Sequence, residues 1–124
     1  MYYMTTVDLT AETFEKTLTD SNIMFVDWWA EWCGPCKMFG PTYEKASEQH
    51  PDIVFAKVDT EANQQLAGSA GIQSIPTLMA FKENILIFSQ AGALAPAQLE
   101  ELIQAVKAVN MDEVRAEIAK QKEN

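Results

Sequence analysis

The chain holds two cysteines, Cys33 and Cys36, three positions apart in a stretch that reads FVDWWAEWCGPCK over residues 25–37. A disulfide closing so short a loop adds only about 2 kcal/mol to a fold in the chain-entropy treatment, so stability is a poor reason for the spacing. Redox exchange is a better one. The first thiolate of such a pair attacks a foreign disulfide, and the second stands within bonding distance to release the product. A free thiol with a pKa of about 8.5 is only a few per cent thiolate at pH 7, whereas one lowered to about 7 is half ionised, which requires roughly 2 kcal/mol. A helix that begins at Cys33 supplies much of this through its unpaired N–H groups and positive dipole end.

Six residues before the pair stands an acid in an unusual place. Asp27 follows Ile23, Met24, Phe25 and Val26 and precedes Trp28 and Trp29, inside a run that reads as a buried strand. Burying an unpaired carboxylate is expensive and raises its pKa through desolvation. On the residues alone, Asp27 is either a satisfied buried carboxylate or a proton acceptor. The sole histidine, His50, ends a helical stretch and is expected at the surface. A metal reading needs four soft ligands, and Cys33, Cys36 and His50 supply three at best, so no metal is expected.

These groups must be positioned by the elements around them. Thr10 reads as the N-cap of a helix over 11–18, with Leu9 and Phe14 as a hydrophobic staple. Strands are expected over 23–29 and 53–59; their continuous apolar runs, broken only by Asp27 and Lys57, suit central strands covered on both faces. Between them, 33–50 reads as a helix with Phe39, Tyr43 and Ala46 on one face and Pro41 placed to kink it. A shorter helix near 62–70, a hairpin of 77–81 with 85–90, and a helix from Pro96 carrying Leu99, Leu102, Ile103, Val106 and Val109 complete the body. The order is β-α-β-α-β-α-β-β-α, with the first strand given no residues of its own. It predicts an α/β fold, a central mixed sheet flanked by helices on both faces. A last amphipathic segment follows: Asn110 with Glu113 makes a capping-box-like start, and Met111, Val114 and Ile118 share a face.

Composition bounds the rest. At 124 residues, 48% hydrophobic and 10% aromatic, the chain is the size of one globular domain. Of the net charge of −9, residues 1–109 carry 14 acids against 6 bases, while 110–124 carry 4 against 3. An acidic body repels phosphate backbones, so nucleic acid is an unsuitable ligand. No stretch approaches the roughly 18 apolar residues of a membrane span, and MYYMTTVDLT lacks the charge and apolar core of a signal peptide. A soluble, cytoplasmic, monomeric protein is expected.

The string WCGPCK at 32–37, within VDWWAEWCGPCK, resembles the active site of the thioredoxin family. Pro41 resembles that family's kinking proline, Ile75-Pro76-Thr77 its cis-proline loop, and Gly92-Ala93 the glycine turn beside the site; the spacing agrees across about residues 5–109. The resemblance implies a thioredoxin domain over 1–109 with a C-terminal helical extension over 110–124. It also implies roles: Cys33 as attacking thiolate, Cys36 as resolving thiol, Asp27 as proton acceptor for Cys36 through water, and Lys57 as its electrostatic partner. Trp32, Gly34 and Pro35 form the active-site loop, and Trp32, Ile75, Pro76 and Gly92 the surface that meets a substrate. Gly-Pro between the cysteines, where related oxidants carry histidine or another polar group, implies a reductant.

The implied function is reduction of protein disulfides, with no bound cofactor. Electrons are expected from NADPH through a separate flavoprotein reductase, because the chain has no Gly-rich dinucleotide loop of its own; the implied partners are that thioredoxin reductase and disulfide-containing clients. The alternative is a binding or chaperone module whose docking surface matters more than redox turnover. Three departures from the family stand out. Trp28 replaces the usual phenylalanine, adding bulk expected under the site; Ala91 precedes Gly92 where valine is common; and Lys82-Glu83-Asn84-Ile85 lacks the hairpin glycine, so that Asn84 must take a positive φ if the turn is tight.

Overall fold

A computed structural model describes residues 5–123. The elements are β1 (Thr6–Asp8), α1 (Phe14–Asp20), β2 (Ile23–Trp29), α2 (Gly34–Gln49), β3 (Val54–Asp59), α3 (Gln64–Ser69), β4 (Thr77–Lys82), β5 (Ile85–Ala91), α4 (Pro96–Ala108) and α5 (Met111–Lys122). The five strands form one sheet in the order β1-β3-β2-β4-β5. β3 runs parallel to both β1 and β2, while β4 is antiparallel to β2 and β5.

Alternation along the central strands explains their unbroken apolar character. Ile23 and Phe25 of β2 face the same way as Phe55 and join Phe39 and Tyr43 of α2 and Leu99, Ile103 and Val106 of α4 in one core layer. Met24, Val26 and Trp28 point to the opposite face and pack with Ala56, Val58, Met79, Phe14 of α1 and Leu66 of α3 in the other. Each strand therefore needs apolar residues at every position, and Asp27 falls on the α2/α4 side. Phe25 stacks on Phe55 with centroids 5.5 Å apart, and Tyr43 meets Phe55 edge-on at 5.3 Å.

Several expectations need correction. The first helix begins at Phe14 rather than 11: Thr13, not Thr10, is its N-cap, and no side chain caps it. Thr10 instead opens a turn, its carbonyl accepting the N–H groups of Thr13 and Phe14 while its own N–H donates to Thr13 Oγ1 at 2.9 Å. Leu9 and Phe14 nonetheless share a core layer. The two-residue hairpin turn places both Glu83 (φ 51) and Asn84 (φ 69) in the left-handed region, because a turn matching the strand twist needs positive φ at both central positions. Trp28 packs on the face of the sheet opposite Asp27, 5.9 Å from Phe14. α2 spans Gly34–Gln49 with Pro41 inside it.

The C-terminal segment is helical, with Asn110 accepting the Glu113 N–H at 3.1 Å as its cap. Met111 is buried, Val114 and Ile118 half-buried. The helix lies near the hairpin end of β4, where Arg115 pairs with Glu83 at 2.6 Å. Beside it, the buried Lys82 ammonium donates to the carbonyls of Val106, Lys107 and Val109 at 2.9–3.0 Å, closing the C-terminal end of α4.

Candidate active site

The tight turn after β2 delivers Cys33 to the start of α2. Cys33 is the helix N-cap in extended backbone (φ −88, ψ 112), and its Sγ accepts the Cys36 N–H at 3.2 Å. An N-terminal first turn leaves N–H groups without helical partners, so a sulfur there meets oriented donors and the positive end of the helix dipole. The same geometry tolerates Pro35, whose missing N–H would have no partner in the first turn anyway. Cys33 and Cys36 form a disulfide, with Cα atoms 5.2 Å apart and both residues 4% exposed. Trp32 stands beside them 70% exposed, while Gly34 and Pro35 are open to solvent.

Facing the disulfide is the loop before β4. The Ile75–Pro76 bond is cis, and the Ile75 carbonyl oxygen lies 3.8 Å from Cys33 Sγ. Thr77 Oγ1 donates to Ser74 O at 2.6 Å, and the Gly92 N–H donates to Pro76 O at 2.8 Å. Gly92 reaches that bond at φ +108, a backbone conformation that favours glycine, which accounts for the residue type there. A groove of about 500 Å3 runs between Trp32-Cys33-Gly34-Pro35 on one side and Gln73-Ser74-Ile75 on the other, with Thr60, Ala67 and Ile72 at its base. Pro76 and Gly92 do not line it; they shape the loop that does.

Asp27 sits in the α2/α4 core layer, 1% exposed, and neither carboxyl oxygen accepts a hydrogen bond from the described residues. Burial pushes its pKa up from 3.8 to about 7, and the positive charge of Lys57 pulls in the other direction. Asp27 and Lys57 stand opposite each other in the β2–β3 ladder. The expected pairing nevertheless stops short of a salt bridge among the described residues: the Lys57 ammonium lies 4.9 Å from the centre of the Trp29 ring, a contact worth about 0.5–2 kcal/mol. Nearby, the buried Tyr43 hydroxyl donates to Ala56 O at 2.8 Å; burial and the charge of Asp27 hold its pKa well above the ordinary value.

His50 is a correction. It is 7% exposed rather than at the surface, because α4 covers the end of α2. Its Nε2 lies 2.8 Å from Glu100 and its Nδ1 3.4 Å from the Lys107 ammonium, which also reaches Asp52 at 3.2 Å. No group of three or more potential metal ligands occurs among the described residues. Tyr43 and Trp29 are the site neighbours that sequence reasoning gave no electrostatic part. The signal existed for Trp29: two positions from Asp27 on one strand means the same face.

A mixed sheet with helices on both faces, and a cysteine pair in disulfide contact at the start of a helix, define a dithiol–disulfide oxidoreductase. The chain belongs to the thioredoxin family, whose Thioredoxin model matches residues 5–119. A candidate thioredoxin 2 from Streptomyces coelicolor is 54% identical over 116 residues, covering 94% of this chain and 87% of that protein. The thioredoxin of Bacillus subtilis is 35% identical over 101 residues, covering 81% and 96% respectively. Among solved structures, a point-mutant thioredoxin from Halobacterium salinarum superposes with a TM-score of 0.79 at 28% identity, covering 89% of this chain and 98% of that one. Family membership carries with it disulfide-containing substrates and a reductase partner in general terms.

Proposed function

We propose that the protein is a cytoplasmic, monomeric disulfide reductant in which Cys33 attacks, Cys36 resolves and Asp27 takes the resolving proton. The observation that carries this is the Cys33 sulfur at the helix N-cap, accepting the Cys36 N–H at 3.2 Å beside an open groove. In the reduced protein the same donor stabilises a Cys33 thiolate. That thiolate forms a bond to one sulfur of a client disulfide; the client S–S bond breaks, and the departing sulfur leaves as a thiolate and takes a proton from water. Cys36 gives its proton to Asp27, attacks Cys33 Sγ and expels the second client sulfur as a thiolate, which takes a proton from water. The client gains two electrons and ends as a dithiol, and the protein ends as the Cys33–Cys36 disulfide.

Supporting the part of Asp27 is a pKa of about 7, near the working pH, where a carboxylate is a useful base for a thiol. Lys57 moderates that value through its positive charge. Trp32, Gly34, Pro35 and Ile75 border the groove in which a client strand lies extended, and Pro76 and Gly92 shape its far wall. Ile75, which lines the groove, suits backbone pairing with such a strand. Gly34-Pro35 offers no polar side chain to stabilise the thiolate further, which favours reduction over oxidation and accords with a compartment where thiols stay reduced. NADPH, through a separate flavoprotein thioredoxin reductase, is the proposed electron source. Residues 1–109 are the proposed redox domain and 110–124 an extension.

The test uses the full chain with a disulfide-bonded protein substrate, NADPH and a bacterial thioredoxin reductase. NADPH consumption that requires the chain is expected, and none is expected from Cys33→Ser. Cys36→Ser should accumulate a covalent mixed disulfide through Cys33, visible by mass spectrometry. Client reduction that survives Cys33→Ser overturns the assignment.

A further inference from the structure

Asp27, Trp29 and Lys57 belong to one face of the sheet. Side chains alternate along β2, which puts Asp27 and Trp29 on the same side, and Lys57 is the ladder partner of Asp27 on β3. A lysine directly across from a buried aspartate has a short route to an ion pair. It does not take it. Among the described residues Asp27 enters no salt bridge and its oxygens accept no hydrogen bond, while the Lys57 ammonium lies 4.9 Å from the centre of the Trp29 ring. Trp29 stands diagonally to Lys57 across the ladder, a separation that an aromatic and a long side chain bridge readily. One cation therefore has two competing partners, an indole face and a carboxyl group.

We propose that Trp29 is a positioning residue for the disulfide chemistry: its ring holds the Lys57 ammonium off the Asp27 carboxyl, so that Asp27 remains a proton acceptor for Cys36. The inference rests on the proposed part of Asp27 in the cycle. A lysine bonded directly to Asp27 would favour the ionised carboxylate and make it a weaker base, poorly matched to a thiol proton. The groups that bear on Asp27 are few. Lys57 comes from β3, the Tyr43 hydroxyl from α2 is committed to Ala56 O, and Leu78 opposite on β4 carries no charge. Trp29 decides the geometry of the only cation in that set.

The experiment is a carbon-13 NMR titration of the Asp27 carboxyl in the oxidised full chain, in four forms: wild type, Trp29→Leu, Lys57→Met and the double variant. Losing the ring frees the ammonium to reach Asp27, and Trp29→Leu should lower the midpoint by about one pH unit or more. In the Lys57→Met background the same substitution should move it little. Trp29→Phe keeps a ring face and should stay near wild type. Fluorinated tryptophan, which keeps the shape but weakens attraction for a cation, should lower the midpoint in the wild-type chain and not in Lys57→Met; this arm stands even where Trp29→Leu does not fold. Equal shifts with and without Lys57 would mean that the indole merely excludes water, and would overturn the proposal, as would no shift. The titration needs no client, so its outcome is separate from whether Asp27 serves Cys36; the resolution rate of Asp27→Asn reads that.

Discussion

In the proposed cycle Asp27 sets the fold against the chemistry. In the unfolded chain it loses its proton near pH 3.8, and in the folded protein only at about 7, because burial penalises the charged form. Between those values the folded state binds the extra proton. The resulting stability is fully present below about pH 4 and is lost as pH rises through about 7. At 1.36 kcal/mol per pH unit the interval amounts to about 4 kcal/mol. Chemical denaturation of the oxidised protein should therefore show wild type losing about that much between pH 4 and 8 relative to Asp27→Asn, which lacks the titration. The same variant should resolve mixed disulfides at least about tenfold more slowly. A variant that gains stability at pH 8 while losing rate is the signature of a residue kept for function at a cost to the fold.

Among the elements, α4 depends on a contact that no local pattern announces. Lys82 lies at the end of β4, 7% exposed, and its three hydrogen bonds to Val106, Lys107 and Val109 satisfy carbonyls that the helix itself leaves open. Lys82→Met keeps the volume but leaves those acceptors unpaired, and should cost about 3 kcal/mol in urea unfolding. Arg115→Ala removes an exposed ion pair with Glu83 in the same region and should move the urea midpoint little. Element types were legible from period and length. The start of α1 was not, because Thr10 and Thr13 are equally good capping residues, and the choice fell to the turn in which Thr13 accepts the Thr10 N–H.

On the scale of the molecule, chemistry and reinforcement occupy opposite ends of the sheet. Pro76 and the cysteines meet at the start of β4, whereas Lys82, Glu83 and the α4–α5 junction gather at its end, roughly 17 Å away along the strand. Removing residues 110–124 uncovers the site where Met111 is buried, and should cost about 2 kcal/mol of stability. Client reduction by the shortened chain, measured well below its melting temperature, should match the full chain. A fall in rate with stability intact would instead make α5 part of the client surface.

The fold class, the redox pair and the buried acid were legible in the sequence because each follows from type and spacing: two cysteines three apart, unbroken apolar runs of strand length, one charge inside such a run. Tertiary structure alone decided where long side chains end. Lys57 turned to an indole rather than to its ladder partner, His50 was covered by α4, and Trp28 packed against Phe14 of α1. Periodicity fixes the face from which a side chain leaves the backbone. The partner that a four-carbon stem or an aromatic ring then meets depends on elements tens of residues away in the chain.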